Sequence, residues 1–120
     1  DRICAEAMKA NDDGYTIIVL SDRGVNETMC PIPSLLAVGA VHQYLVREKK
    51  RTDCGLIIET GEPREVMHFC LLLGYGASAI NPYIALDTLA DLAGHGVGAA
   101  VGFVIGPRPL FTNFCSRLPV

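Results

Sequence analysis

Arg64 and His68 stand four residues apart with Glu65 between them, so a helix over this stretch brings guanidinium and imidazole to one face. Glu59 and Glu62 add carboxylates near the positive end of that helix. General acid–base chemistry from this group requires His68 to point into the crevice at the strand ends, where α/β sites form. Counted from Pro63, the imidazole falls about a turn and a half into the helix instead. His68 therefore reads first as a buried, hydrogen-bonded histidine, next as a packing or interface residue, and last as a catalytic one. The carboxylates have a sufficient structural explanation, since each is favourable by about 0.3–1 kcal/mol near a helix N-terminus. Asp22 and Arg23, at the carboxyl end of a strand, form the best remaining polar pair, and a salt-bridged loop anchor is favoured over an acid–base site.

The other chemistry-bearing residues are dispersed. His42 lies on the apolar side of a helix beside Val41 and Leu45, the setting of a satisfied core histidine, and His95 sits in a turn between Gly94 and Gly96. Cys4, Cys30, Cys54, Cys70 and Cys115 form no CxxC pair and have no histidine at ligand spacing. Their odd number argues against a closed disulfide framework. Cys54 and Cys70 lie in apolar runs and read as buried thiols. The GYGA of Gly74 to Ala77 follows a helix and precedes a strand, the reverse of a dinucleotide fingerprint, so it reads as a C-cap and turn. GHGVG also follows a helix and lacks the lysine and hydroxyl residue of a P-loop.

The elements that must hold these residues alternate. Tyr15 to Leu20 is a β-branched run after the turn Asn11–Gly14 and reads as a buried strand; Ser21 to Pro33 reads as a loop. A helix is expected from Ser34 to about Lys49, with Leu35, Val38, Val41, His42 and Leu45 on one side and Ser34 capping its amides. Leu56 to Glu59 reads as a strand covered on both faces. A helix from near Pro63 to Gly74, a short strand at Ala77 to Ile80 closed by Pro82, and a brief helix at Leu86 to Ala93 follow. The fold class is therefore α/β: a partial βαβαβ unit with a small, mostly parallel sheet flanked by helices and right-handed crossovers. Gly94 to Val120 changes character, with an edge strand around Val101 to Ile105 or poor order as the two readings.

At 120 residues the chain makes one domain at most. Half of it is hydrophobic and only 19% is charged, which suits a segment shielded by other protein. A net charge of −3 gives nucleic acid little to hold. The basic cluster Arg47, Lys49, Lys50 and Arg51 reads as a solvent-facing complement to a helix dipole. The apolar part of the tail is far shorter than the roughly 20 residues that span a bilayer. No leader sequence is evident, and a reducing compartment, cytoplasmic or plastid stroma, fits best.

Three segments carry a family resemblance: LSDRG at Leu20 to Gly24, IPSLLAVGAVHQYLVRE at Ile32 to Glu48, and ETGEPREVMHFCLLLGYGASAINPYIA at Glu59 to Ala85. Together, from Tyr15 through Leu92, they resemble the central domain of the glutamate synthase large subunit. In that family the helix usually reads arginine, glutamate, valine, histidine, histidine; Arg64, Glu65, Val66 and His68 match and Met67 departs.

The resemblance implies a domain that links a glutaminase carrying a cysteine nucleophile to an FMN-binding barrel. Ammonia passes between them through an internal tunnel, and an iron–sulfur centre relays electrons. It implies that Cys4 is not the nucleophile and that the dispersed cysteines are not cluster ligands. No residue here is then catalytic, cofactor-binding or metal-binding, and FMN and the cluster belong to the parent enzyme. Expected partners are other domains or subunits of glutamate synthase, or a second copy of the chain. Residues 1–93 are expected to form the central-domain-like module and residues 94–120 a divergent tail. A truncated or frameshifted product or partial gene model is favoured over a genuinely short homologue. The expected role is non-catalytic, with a stand-alone interaction or regulatory module as the alternative.

Overall fold

The computed structural model describes residues 2–27, 29–94, 113–115 and 117–119. It begins with a helix absent from the sequence reading, α1 (Arg2–Asp12), which buries Ile3, Cys4, Ala7 and Asn11 along one stripe. Strand β1 (Ile17–Ser21) follows, then β2 (Met29–Pro31), α2 (Ser34–Arg47), β3 (Gly55–Glu59), α3 (Val66–Gly74), β4 (Ala79–Asn81) and α4 (Tyr83–Gly94). Two short strands, β5 (Asn113–Cys115) and β6 (Arg117–Pro119), complete the described chain.

The main sheet has the order β4-β3-β1-β5, and every pair in it is parallel. The expected α/β class and its βαβαβ core are present, carried by β1-α2-β3-α3-β4. A separate antiparallel pair joins β2 to β6, so a strand lies within the expected loop Ser21 to Pro33. The strand expected around Val101 to Ile105 lies outside the described residues.

One face of the sheet carries the core. Ile18, Leu20, Leu56 and Ile58 pack with Ile3 and Ala7 of α1, Ala37, Val38, Val41 and Leu45 of α2, and Leu72 of α3. Each buried Val, Leu or Ile among them contributes about 1.5–3 kcal/mol by leaving water. The stripe Val38, Val41 and Leu45 is fully buried as its spacing indicates, while Leu35 and His42 lie half-buried at its margins. β3 departs from the expectation of two covered faces. Its burial alternates, with Leu56 and Ile58 inside and Gly55, Ile57 and Glu59 partly exposed. The continuous apolar run is thus compatible with a sheet packed tightly on one side.

Several boundaries shift for local reasons. α3 starts at Val66, because Glu65 is still extended (φ −126°, ψ 155°), and buried Pro63 belongs to the approach rather than to the first turn. α3 buries only Leu72, so Cys70, two residues and about 200° away around the helix, is exposed rather than buried. Cys54 is buried as expected. α4 runs longer than Leu86 to Ala93 and buries none of its side chains fully. Among the described residues no helix is long and apolar enough to cross a membrane.

Candidate functional site

The polar residues converge where the strands end. Parallel pairing places Ser21, Glu59 and Asn81 on one rung across β1, β3 and β4. Register partners in a parallel sheet share a face, so Glu59 lies between two hydrogen-bond donors. The Ser21 hydroxyl donates to Glu59 Oε2 at 2.6 Å, and Asn81 Nδ2 donates to Oε1 at 3.2 Å. Arg23 Nε donates to Oε1 at 2.8 Å, and the Arg23 amide donates to Ser21 Oγ at 3.2 Å. The Arg23 guanidinium also stacks 4.1 Å from the centre of the Tyr83 ring.

One residue further along, the ladder continues and repeats the device. The Asp22 amide donates to the Glu59 carbonyl and the Thr60 amide to the Asn81 carbonyl. Asp22 Oδ2 then accepts from Thr60 Oγ1 at 2.6 Å and from the Gly61 amide at 3.1 Å. Asp22 and Arg23 are both loop anchors, as their position indicates, but they do not anchor each other: Arg23 pairs with Glu59, and Asp22 holds the turn after β3. Tyr83 is pushed up from its ordinary value, first by burial and then by Asp22, which draws the phenolic proton and repels a phenolate. Asp22 Oδ1 itself is buried with no hydrogen-bond partner among the described residues.

The α2 N-terminus is capped from outside. Ser34 is the first helical residue, and its amide donates to Glu62 Oε2 at 3.0 Å; its hydroxyl donates to the same oxygen. The expected cap by Ser34 is therefore supplied by Glu62, whose negative charge also meets the positive helix end. The Thr60 hydroxyl accepts from the Glu62 amide at 3.2 Å and holds that residue in place.

His68 has a structural task of the same kind. Its Nδ1 accepts from the Arg64 amide at 3.1 Å and the Glu65 amide at 3.4 Å, satisfying two donors ahead of α3. The proton of the neutral ring then resides on Nε2. His68 lines a cavity of about 190 Å³ with Ser34, Leu35, Glu62, Pro63, Leu71 and Leu72, whereas Asp22 lines a different one and Arg64 is exposed. Arg64, His68 and Asp22 are not brought together as an acid–base group.

Arg51, read from sequence as part of a solvent-facing cluster, is turned inward. It donates to His42 Nδ1 at 2.9 Å, to the Cys54 carbonyl at 2.8 Å and to the Gly76 carbonyl at 2.7 Å. The guanidinium thereby ties the end of α2 to the start of β3 and to the turn before β4. A charged cluster at a helix end does not reveal which member will turn inward, so sequence reasoning missed it. Lys50 of the same cluster faces Asp12 at 3.8 Å.

On α3, by contrast, Val66 is 78% and Met67 62% exposed, and Leu71, Leu73 and Tyr75 are exposed beside them. Ile84, Leu89 and Leu92 of α4 and Leu36 of α2 are exposed as well.

These features define a parallel α/β module whose strand-end polar groups are engaged with one another and whose outer helices are apolar. The chain matches the glutamate synthase central domain family over residues 1–107, and it belongs to that family. The match begins before Tyr15 and runs beyond Leu92, wider at both ends than the sequence motifs. The chain is 52% identical over 92 residues to the NADH glutamate synthase of Schizosaccharomyces pombe, covering 77% of this chain and 4% of that protein. It is 53% identical over 83 residues to the NADPH glutamate synthase large chain of Bacillus subtilis, covering 69% of this chain and 6% of the relative. Ferredoxin-dependent glutamate synthase of Cyanidium caldarium is 45% identical over 91 residues, covering 74% of this chain and 6% of its own. The chain thus spans only about one twentieth of each of these relatives.

Proposed function

We propose that this chain is a non-catalytic structural module of a glutamate synthase, linking the glutaminase and FMN domains and helping to shape the ammonia route during glutamate biosynthesis. The observation that carries this reading is the contrast between its polar edge and its apolar outer helices. Glu59 accepts from three side chains, Asp22 from two groups of the β3 turn, and Glu62 from the α2 terminus, so the carboxylates serve the fold. The exposed side chains of Val66, Met67, Leu71 and Leu73 on α3 suit burial against further protein.

FMN and the iron–sulfur centre are assigned to other parts of the enzyme. Cys4, Cys30 and Cys70 lie on α1, β2 and α3 and Cys54 in the connection before β3, and no group of three metal-ligating side chains lies together among the described residues. Residues 1–93 are the module and 94–120 its divergent extension, working in the cytoplasm or a plastid stroma. Assays of glutamine hydrolysis and glutamate formation by the purified polypeptide test the reading: no turnover is expected, and robust turnover of either kind overturns it.

The same apolar helices favour a second reading, a stand-alone interaction or regulatory module that self-associates. Size-exclusion chromatography distinguishes it: a stable monomer that captures no copy of itself removes this alternative.

A further inference from the structure

Two helices on the core face of the sheet are almost free of charged side chains. α2 has no Asp, Glu, Lys or Arg before its last residue, Arg47, and α3 has none from Val66 to Gly74. α2 sets Ser34, Ala37, Val38, Val41 and Leu45 into the core. Its opposite side reads Leu36, Gly39, Ala40 and Gln43, at i, i+3, i+4 and i+7, and Leu36 there is 65% exposed. A helix on a wetted surface carries charged residues on the side away from the core. One that is apolar on both sides is covered on both.

An open groove of about 510 Å³ runs along this side, lined by Leu36, Gly39, Ala40 and Gln43 of α2 and by Gly74 and Tyr75 at the end of α3. The exposed Tyr75 ring leans on Gly39, where a Cβ would come within 3.2 Å of its Cδ1. The chemistry of the groove selects its occupant. Backbone groups beneath it are bonded within their own helices, so none is offered to an incoming strand or loop. Such a segment would bury its own N–H and C=O groups unpaired, whereas a helix satisfies them internally. Gly39 and Ala40 carry little side chain, which lets a second helix axis come close. The chain spans only about one twentieth of each of its relatives, so most of the polypeptide able to cover this side lies outside it.

We propose that this groove seats a helix from another part of the same glutamate synthase polypeptide. The helix crosses α2 at Gly39 and Ala40 and sets an aliphatic or aromatic side chain between Leu36 and Tyr75. The inference rests on the structural-module reading and adds to it a place, a secondary structure and a chemistry for the contact.

The test is a cryo-electron-microscopy map of the Bacillus subtilis NADPH glutamate synthase large chain whose matched segment is replaced by this chain's residues. The expected result is a helix from outside the replaced segment lying across Gly39 and Ala40. Solvent over that side overturns the proposal, as does a strand, a loop or a second copy of the module seated there. Where the map leaves this side unseen, hydroxyl-radical labelling decides: Tyr75 oxidation is expected to fall several-fold from the isolated chain to the chimera, and equal oxidation overturns the proposal. Ala40→Arg puts a charge into the groove and is expected to restore Tyr75 oxidation in the chimera while leaving the urea midpoint of the isolated chain unchanged. A marked drop in that midpoint overturns the proposal, by showing that this side already serves the chain's own fold. An active chimera with an empty groove overturns this inference alone, and robust glutamine hydrolysis by the isolated chain overturns the functional reading alone.

Discussion

Ser21 and Glu59 face each other as register partners of β1 and β3, and the Ser21 hydroxyl donates to Glu59 Oε2 at 2.6 Å. Glu59 is thereby the hub of the strand-end edge, holding Asn81 of β4 and Arg23 of the loop after β1 on its other oxygen. Glu59→Gln replaces one accepting oxygen by a donor and removes the charge opposite Arg23. The expected cost is about 1–3 kcal/mol, moderated because Arg23 is largely exposed. Urea unfolding of the two proteins checks it; an unchanged midpoint means the hub contributes nothing to stability.

Tyr83 makes stability depend on alkaline pH. Its folded-state value is raised above the ordinary 10.0, chiefly by burial and then by Asp22. The protonated phenol is the form the fold favours, so the Tyr83 contribution is fully present below pH 10.0 and is lost as pH rises through the higher folded value. Thermal melts of the native protein are expected to fall more steeply above pH 10.0 than those of Tyr83→Phe. Parallel alkaline slopes contradict this assignment.

Gly76 and His42 are in close contact. Gly76 has φ +114°, and a Cβ there lies 2.2 Å from His42 Nδ1, the atom that accepts from Arg51. Gly76→Ala therefore meets both backbone strain and a clash, and is expected to destabilise by more than about 1 kcal/mol. In combination with His42→Ala the clash is removed while the strain remains. The two changes should be non-additive, with the double variant more stable than the sum of the single effects. Denaturant unfolding of all three variants measures that coupling, and strict additivity contradicts the contact.

Much of this arrangement was legible in the sequence because periodicity reports burial. The spacing of Val38, Val41 and Leu45 identifies the packed face of α2, and the β-branched run Ile17 to Val19 identifies β1. α1 was missed, although Ile3, Ala7 and Asn11 recur at helical spacing; the polar residues between them lowered the apolar signal. β2 has only three residues, and its partner β6 is distant in sequence, so no local pattern announces it. The roles of Glu62 and Arg51 depend on which terminus or carbonyl a long side chain reaches, a tertiary fact that spacing alone does not encode. Cys70 shows the reverse error: an apolar run in α3 suggested a buried thiol, but a helix with one fully buried residue exposes most of that run.

The exposed apolar face of α3 separates folding from assembly. Met67→Glu and Leu73→Glu alter side chains that are 62% and 51% exposed, so together they are expected to change the stability of the isolated chain by less than about 1 kcal/mol. A similar thermal midpoint for the double variant and the parent meets that expectation. A large drop shows instead that these side chains support the isolated fold.

The central claim is that the chain serves glutamate synthesis through packing rather than through chemistry of its own. The most direct measurement replaces the matched segment of the Bacillus subtilis NADPH glutamate synthase large chain with this chain's residues and follows glutamate formation by the assembled enzyme. The account predicts that the chimera stays active and that Met67→Glu with Leu73→Glu lowers its turnover at least tenfold. Undiminished turnover in a chimera carrying both substitutions contradicts it.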